Sequence, residues 1–399
     1  MAIKTATKRL AVTGNAAVAY AMKQINPHVV AAYPITPQTD IVEDFSQYVA
    51  DGLVSTEFVP VESEHSAMSS VVGAAAAGAR AMTATSSQGL ALMHEVLYIA
   101  AGMRLPVVMP VVNRALSAPI NIHCDHSDSM GSRDAGWIQI YCKNAQEAYD
   151  SLIQGVRIAE HRDVRLPVMV CYDGFITSHG LTSIEPLPDE QVQAFVGKHV
   201  AVNPLLDTDR PVTYGPLALF DYAFELRRQQ AEGMFHAPRV ILEVAEEFAR
   251  VCGRRYGLVE EYRLDGAEMV VVVLSSAAST MEVVVDELRE RGVPVGLLRI
   301  RAYRPFPRAE VKAALRGAKA VCVLDRADSP GAGNGPVATD VRSLLFECDE
   351  RPLFMNGIFG LGGRDTGPRE LKEVVERLER ALASGRVEEP LFYLGVRGG

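Results

Sequence analysis

Residues Val61–Gly89 read VESEHSAMSSVVGAAAAGARAMTATSSQG. The stretch spells a strand end, a helix made almost wholly of small side chains, a second short strand, and a Gly-containing turn into another helix. Glu62 and Glu64 open the first helix, with Ser63 or Glu62 as its cap, and no further Asp, Glu, Lys or Arg occurs before Arg80. Ala67, Val71, Ala74 and Gly78 recur at helical spacing and Ala75–Ala77 add little bulk, so this helix can approach another backbone closely. A carboxylate in its first turn feels two opposed influences. The helix dipole favours ionisation, at about 0.3–1 kcal/mol, whereas burial disfavours it and demands a specific partner.

Short apolar runs and helical patterns alternate on both sides of this unit. His28–Ala32, Glu57–Val61, Ala81–Thr85, Val107–Val112 and Val168–Tyr172 read as strands; Asn15–Gln24, Thr39–Ala50, Ser63–Ala79, Leu90–Ala101 and Ala145–His161 read as helices. Such alternation predicts a doubly wound parallel α/β sheet, with ligands at the C-terminal strand ends. Prolines 186, 188, 204, 211 and 216 break the pattern over Thr182–Pro216, an excursion suited to clasping a partner. Helices Leu219–Gln230 and Val240–Cys252 follow. The charged, Gly-containing segment 253–267 separates two domains, 1–256 and 257–399. The second restarts the alternation, with strands Met269–Leu274, Val295–Ile300, Ala320–Asp325 and Pro352–Phe359 and helices Thr280–Arg291, Arg308–Leu315, Pro336–Phe346 and Pro368–Ala383.

A length of 399 residues favours two cores, and 48% hydrophobic composition can fill both. The net charge of −9 and the lack of a Lys/Arg cluster argue against nucleic acid as a partner. No apolar run is long enough to span a bilayer, and MAIKTATKRL runs into AVTGNAAVAYAM without a cleavage pattern, so a cytoplasmic protein is expected. Cys124, Cys142, Cys171, Cys252, Cys322 and Cys348 form no CxxC pair, which excludes the usual zinc and iron–sulfur spacings. Scattered thiols suit a reducing compartment.

Several loops after strands carry chemistry-bearing residues. In AAYPITPQTD, Pro34 and Pro37 stiffen the chain around Tyr33 and Thr36, giving either a fixed hydroxyl for a carboxylate or a rigid connection with Thr39 as helix cap. Arg114 follows the apolar run VVMPVV, and either holds a ligand carboxylate in bidentate fashion or pairs with Asp125 or Asp128. CDHSDSMGSRDAGW, from Cys124 to Trp137, places His126 between two Asp, but its spacing matches no metal motif and its Gly and Ser content predicts loop. Asp173–Gly174 marks a tight turn, with His179 beyond it. DRADSPGAGNGP (Asp325–Pro336) offers a turn before a helix or, around Gly331–Gly335, an anion nest.

Taken together, YPITPQT, SEHSAMSSVVGAAAAGA, TSSQGL, an Arg after a strand, DHSDSMGSRDAGW and YDGF-TSH closely resemble the α subunit of pyruvate:ferredoxin oxidoreductases, with looser matches in RPFP (Arg304–Pro307), DRADSPG and GIFGLGGRD (Gly357–Asp365). The resemblance implies a thiamine diphosphate enzyme of α, β, γ and δ subunits, in which this chain supplies the pyrimidine-type domain and a smaller domain like the C-terminal domain of transketolases. It further implies that Glu64 hydrogen-bonds N1′ of the cofactor, favouring its 4′-imino tautomer, that Tyr33 and Pro34 line the cofactor, and that Thr36 and Arg114 hold the substrate's keto and carboxylate groups. The reaction so implied converts pyruvate and coenzyme A to acetyl-CoA and CO₂, with electrons passing to ferredoxin.

The chain lacks a GDG motif with its downstream Asn and lacks cluster cysteines. Within the resemblance, partner subunits must then supply Mg²⁺, the diphosphate half of the site and 4Fe–4S clusters. Other 2-oxoacids, such as 2-oxoisovalerate or oxalate, remain open as substrates. So do the pyrimidine-domain subunit of a lipoyl-linked 2-oxoacid dehydrogenase and a non-catalytic scaffold. No role follows for Cys124, His126 or His179, and the smaller domain is expected to be structural and interfacial.

Overall fold

The computed structural model describes residues 9–397 and is built on two main sheets. Strands Val29–Ala32, Glu57–Pro60, Ala81–Met82, Val108–Asn113, Ile138–Tyr141 and Val168–Asp173 are mutually parallel and belong to the first. Their spatial order is 138–141, 168–173, 108–113, 81–82, 29–32, 57–60. From Val29–Ala32 the chain steps to Glu57–Pro60 on one side, then returns to Ala81–Met82 on the other. That reversal opens a crevice at the carboxyl ends of the two strands. Helices Gly14–Ile25, Thr39–Ala50 and Ala145–Glu160 cover one face, and Glu64–Ala77, Ser87–Leu92 and His94–Gly102 the other.

Small side chains make the second layer thin. Ala67, Met68, Val71, Ala75 and Ala76 of Glu64–Ala77 are buried, and Ser69 and Gly73 on the opposite side are exposed. The Ser63 hydroxyl accepts from Ser66 N–H to cap the helix, and Gly78 ends it in the left-handed conformation at φ +105°. The excursion returns to this end: Leu205 N–H donates to Ala76 O at 2.8 Å, and a Cβ on Gly78 would stand 2.8 Å from Pro204 Cβ.

The second sheet has the order 391–394, 353–359, 320–325, 269–273, 295–300, 259–262, parallel except for its last pair. One face shares the core of the Glu64 helix through Val270, Val272, Leu298 and Val337; the other buries Met281, Val284, Leu371 and Leu378. Two residues after Ile300 leaves this sheet, Ala302–Arg304 joins the first sheet antiparallel to Ile138–Tyr141. We propose 1–256 and 257–399 as the two domains, with this strand lent across.

Several expectations need correction. The two helices expected at Leu219–Gln230 and Val240–Cys252 are one, Ala223–Cys252, which runs through Pro238. Tertiary packing of Val240, Ile241, Val244 and Phe248 outweighs the one backbone bond that proline removes. The excursion is not wholly irregular, since Thr182–Ile184 pairs with Leu10–Val12 and Asp189–Val196 is helical. Ile138–Tyr141 is a strand the pattern did not suggest, and Leu90–Ala101 is two helices that meet at Met93.

Asp173 is a hub between the sheets, not merely a turn residue. It is fully buried; His126 Nε2 lies 2.7 Å and Ser275 Oγ 2.9 Å from one carboxylate oxygen, while Arg326 Nη1 donates to the other at 2.8 Å beside the Ser276 hydroxyl. Burial opposes its ionisation, but Arg326 and His126 outweigh burial and hold the carboxyl far below the ordinary range. A depressed carboxylate pKa gives stability that is full above about pH 3.9 and is lost as pH falls through the folded value. Arg326→Met leaves a buried carboxylate short of its cation, and is expected to cost about 3–5 kcal/mol in chemical denaturation at neutral pH. The deficit should narrow in strong acid; a loss that does not depend on pH would mean that the pair is not its source.

Candidate functional site

Each side of the crevice contributes one loop. From Val29–Ala32 the chain enters Tyr33–Gln38, where Ile35 N–H donates to Gln38 Oε1 at 3.2 Å. Gln38, not Thr39, occupies the cap position of the next helix, and no side chain caps it. Tyr33, Pro34 and Thr36 are exposed. After Ala81–Met82 comes Thr83–Ser86, whose Thr85 bridges to Val111, and then the turn into Ser87–Leu92. Ser87 sits at φ +47°, a cost for a non-glycine residue that its surroundings offset. Its N–H donates to Asp128 Oδ2 at 2.9 Å and its hydroxyl to Ala115 O at 2.5 Å.

Glu64 lies against this turn. It is 7% exposed, and no hydrogen bond or ion pair reaches its carboxylate among the described residues. A Cβ on Gly89 would stand 2.8 Å from both Glu64 Cγ and Oε1 and 2.4 Å from Thr85 Oγ1. Only glycine leaves room for the carboxylate here. Thr85 Oγ1 and Ser86 Oγ, in the same turn, are buried without a partner, so the turn holds unspent polar capacity around a shielded carboxylate.

Next to Gly89, Gln88 leads to Arg114, the residue that follows strand Val108–Asn113. Arg114 is 7% exposed. Its Nη1 donates to Thr36 O at 2.7 Å, Nε to Asn121 O at 2.9 Å, and Nη2 faces Gln88 Oε1 at 3.5 Å. The ion pair with Asp125 or Asp128 does not form. Asp128 instead accepts from the Arg114 backbone N–H at 3.0 Å, and also from Asn113 Nδ2 at 2.8 Å. Burial lowers the Arg114 pKa and the Asp128 charge pulls it back up. A guanidinium whose carbonyl partners carry no charge and whose Nη edge is under-used suits an incoming carboxylate. Burial pushes the Asp128 carboxyl up to about 6, against the four donors that favour its charge.

Comparison with known proteins agrees with this geometry. Residues 20–246 match the pyruvate flavodoxin/ferredoxin oxidoreductase thiamine diphosphate-binding domain, and residues 267–371 match core domain II of pyruvate:ferredoxin oxidoreductase. The chain belongs to the pyruvate:ferredoxin oxidoreductase family. Over 98% of both chains it is 58% identical to the pyruvate synthase subunit PorA of Thermotoga maritima. It is 40% identical to the ketoisovalerate oxidoreductase subunit VorA of Pyrococcus abyssi, over 97% of each. In fold it is similar to a 2-oxoglutarate:ferredoxin oxidoreductase from Magnetococcus marinus, at a TM-score of 0.72 and 20% identity. That match covers 92% of this chain and 65%, less than two thirds, of the other.

The matched domain is a thiamine diphosphate-binding one, and the residues at the crevice suit that cofactor. The Glu64 carboxylate is shielded and partnerless, the Gly89 turn is open to it, and orphaned hydroxyls lie beside it. These are the acceptors and donors an aminopyrimidine ring requires, so the family's cofactor fits this side of the crevice.

Other residues singled out in the family pattern sit elsewhere. His179 is near Asp40, with Nε2 to Oδ2 3.5 Å, and stacks on Phe175. Cys124, His126 and Asp173 bring ligand atoms within 4.8 Å of one another. Arg326, however, donates to that Asp173 and lies 3.9 Å from Cys124 Sγ. Burial pushes the Cys124 thiol up, and Asp173 adds to it, which keeps it protonated and disfavours it as a ligand. In the Asp325–Pro336 loop the acceptor at the helix start is the protein's own, because the Asp325 carboxyl, which burial pushes up to about 7, accepts from Val337 and Ala338 N–H at 2.8 and 3.0 Å. Gly89 and Asp128 were not recognised as site residues from sequence. The juxtaposition of Gly with Glu64 is visible only in three dimensions, whereas the second Asp of DHSD was a legible hint.

Among the described residues no helix is long and apolar enough to cross a membrane.

Proposed function

We propose that this chain is the subunit of a pyruvate:ferredoxin oxidoreductase that holds the aminopyrimidine side of thiamine diphosphate and the carboxylate of the 2-oxoacid. The observation that carries the proposal is Glu64, a partnerless, 7% exposed carboxylate seated on Gly89 at the crevice. Pyruvate is the favoured substrate, because the 58% identical relative is a pyruvate synthase subunit and the ketoisovalerate relative stands at 40%.

When bound, thiamine diphosphate supplies the nucleophilic carbon and the electron sink for loss of CO₂. Glu64 holds the proton at the ring nitrogen of the aminopyrimidine, in a site where burial strengthens that bond. Tyr33 and Pro34 wall the cofactor at the end of Val29–Ala32. The Nη edge of Arg114 takes the substrate carboxylate, and the Thr36 hydroxyl donates to the 2-oxo oxygen. In balance, pyruvate and coenzyme A give acetyl-CoA, CO₂, a proton and two electrons. Mg²⁺ and the diphosphate, the iron–sulfur clusters and the ferredoxin contact fall to the β, γ and δ subunits, consistent with the lack of GDG and CxxC motifs here.

The test is to co-purify the chain with its partner subunits and follow viologen reduction with pyruvate, 2-oxoisovalerate, 2-oxoglutarate and oxalate. Pyruvate should give the highest kcat/KM, with dependence on added thiamine diphosphate and coenzyme A. A preference for 2-oxoisovalerate would replace pyruvate in this reading, and thiamine-independent turnover would end it.

A further inference from the structure

Arg114 is oriented from two directions, and one of them leads into the second sheet. Its Nε–H donates to the backbone carbonyl of Asn121 at 2.9 Å. Asn121 follows an exposed run, Ser117–Ile120, with Ile120 81% exposed, so the run itself offers little to hold that carbonyl still. The Asn121 side chain does. Its Nδ2 donates to Gly362 O at 2.9 Å and its Oδ1 accepts from His123 N–H at 2.7 Å, a donor–acceptor pattern that fits only one amide orientation.

Gly362 belongs to the turn after strand Leu353–Phe359, where Gly360, Gly362 and Gly363 all have positive φ, at 63°, 58° and 77°. Gly362 N–H donates to Asp125 Oδ2 at 3.1 Å and Gly363 N–H to Cys124 O at 2.7 Å. A Cβ on Gly362 would stand 2.4 Å from Asn121 Nδ2, and one on Gly363 would stand 2.3 Å from His123 Cβ. The glycine turn therefore presses on the Asn121–Asp125 segment with no space to spare.

We propose that Asn121, seated on Gly362, is a positioning residue for the substrate: it fixes the Arg114 guanidinium plane so that the Nη edge meets the 2-oxoacid carboxylate. The inference rests on the substrate role of Arg114 proposed above, and it gives the second domain a part in substrate recognition. Misplacing a binding group by about 1 Å can cost up to about 10²-fold, so the predicted defect lies in KM and not in the cofactor.

The experiment uses the assembled complex with Asn121→Ala, Gly362→Ala, the double variant, Arg114→Ala and Asn121→Ala/Arg114→Ala. Asn121→Ala should raise KM for pyruvate about tenfold and leave half-saturation by thiamine diphosphate within about twofold. Gly362→Ala should raise KM in the same direction. In the double variant the absent Nδ2 leaves room for the new methyl group, so KM should be no higher than in the worse single variant. Both Gly362 variants carry the same left-handed strain, read separately as thermal midpoint. In the Arg114→Ala background Asn121→Ala should add nothing. An unchanged KM in Asn121→Ala, single effects that multiply, or equal losses of kcat, substrate affinity and cofactor affinity would overturn the proposal while leaving Arg114's role standing. If Arg114→Ala itself leaves KM unchanged, the substrate role falls and this inference with it.

Discussion

Glu64→Gln in the assembled enzyme is expected to reduce pyruvate-dependent viologen reduction by about 10²- to 10⁴-fold. Glutamine has the same shape, so it still fits against Gly89, where a Cβ would already come within 2.8 Å of the glutamate side chain. What it lacks is a group that can hold or release a proton at the ring nitrogen. Gly89→Ala should reproduce much of the defect without touching the carboxylate chemically, because the methyl group takes the space Glu64 Oε1 occupies. Glu62→Ala is the control. That residue is exposed and bonds to the Ser66 hydroxyl, which holds its carboxyl below the usual range. Its removal should leave turnover within about twofold. If Glu64→Gln retains near-normal turnover, the chain's place at the cofactor is wrong, and the scaffold reading returns.

Arg114→Ala should lower kcat/KM for pyruvate by about 10²- to 10⁴-fold. Two charge-assisted hydrogen bonds are worth about 1.5–3 kcal/mol each, and each 1.4 kcal/mol is tenfold. Binding of thiamine diphosphate, followed by titration of the apo complex, should change little, since the guanidinium contacts the Thr36 and Asn121 carbonyls and not the Gly89 turn's free hydroxyls. Arg114→Lys should recover only part of the loss, because an ammonium cannot offer the planar fork. Equal loss of substrate and cofactor binding would show that Arg114 shapes the crevice as a whole.

The parallel α/β character and most helices were legible because parallel strands buried on both faces appear as apolar runs, and helices keep their period. Glu64, Thr36 and Arg114 are site residues only as the family resemblance and the proposed function make them; what the fold adds is their proximity, with Glu64 against Gly89 and Arg114 bonded to Thr36 O and facing Gln88. Two kinds of feature were not legible. Ile138–Tyr141 is short and flanked by turn residues, so its period is too brief to stand out. Asp173 looked like the start of a turn because its partners, His126, Ser275 and Arg326, are remote in sequence. Local composition carries no trace of an ion pair closed by tertiary packing. The long helix Ala223–Cys252 failed for the opposite reason: Pro238 is a strong local signal that the packing of its neighbours overrides.

The strand Ala302–Arg304 bears on how far this polypeptide can be divided. A cut at the expected boundary, after residue 256, would leave Ile138–Tyr141 as a bare edge with free backbone donors and acceptors, ready to pair with another chain. It would also divide one continuous buried cluster, which runs from Ala67 and Val71 of the Glu64 helix to Val270, Leu298 and Val337 of the second half. The two halves are thus poor candidates for separate genes or modular exchange: each is finished only by residues that the other half encodes.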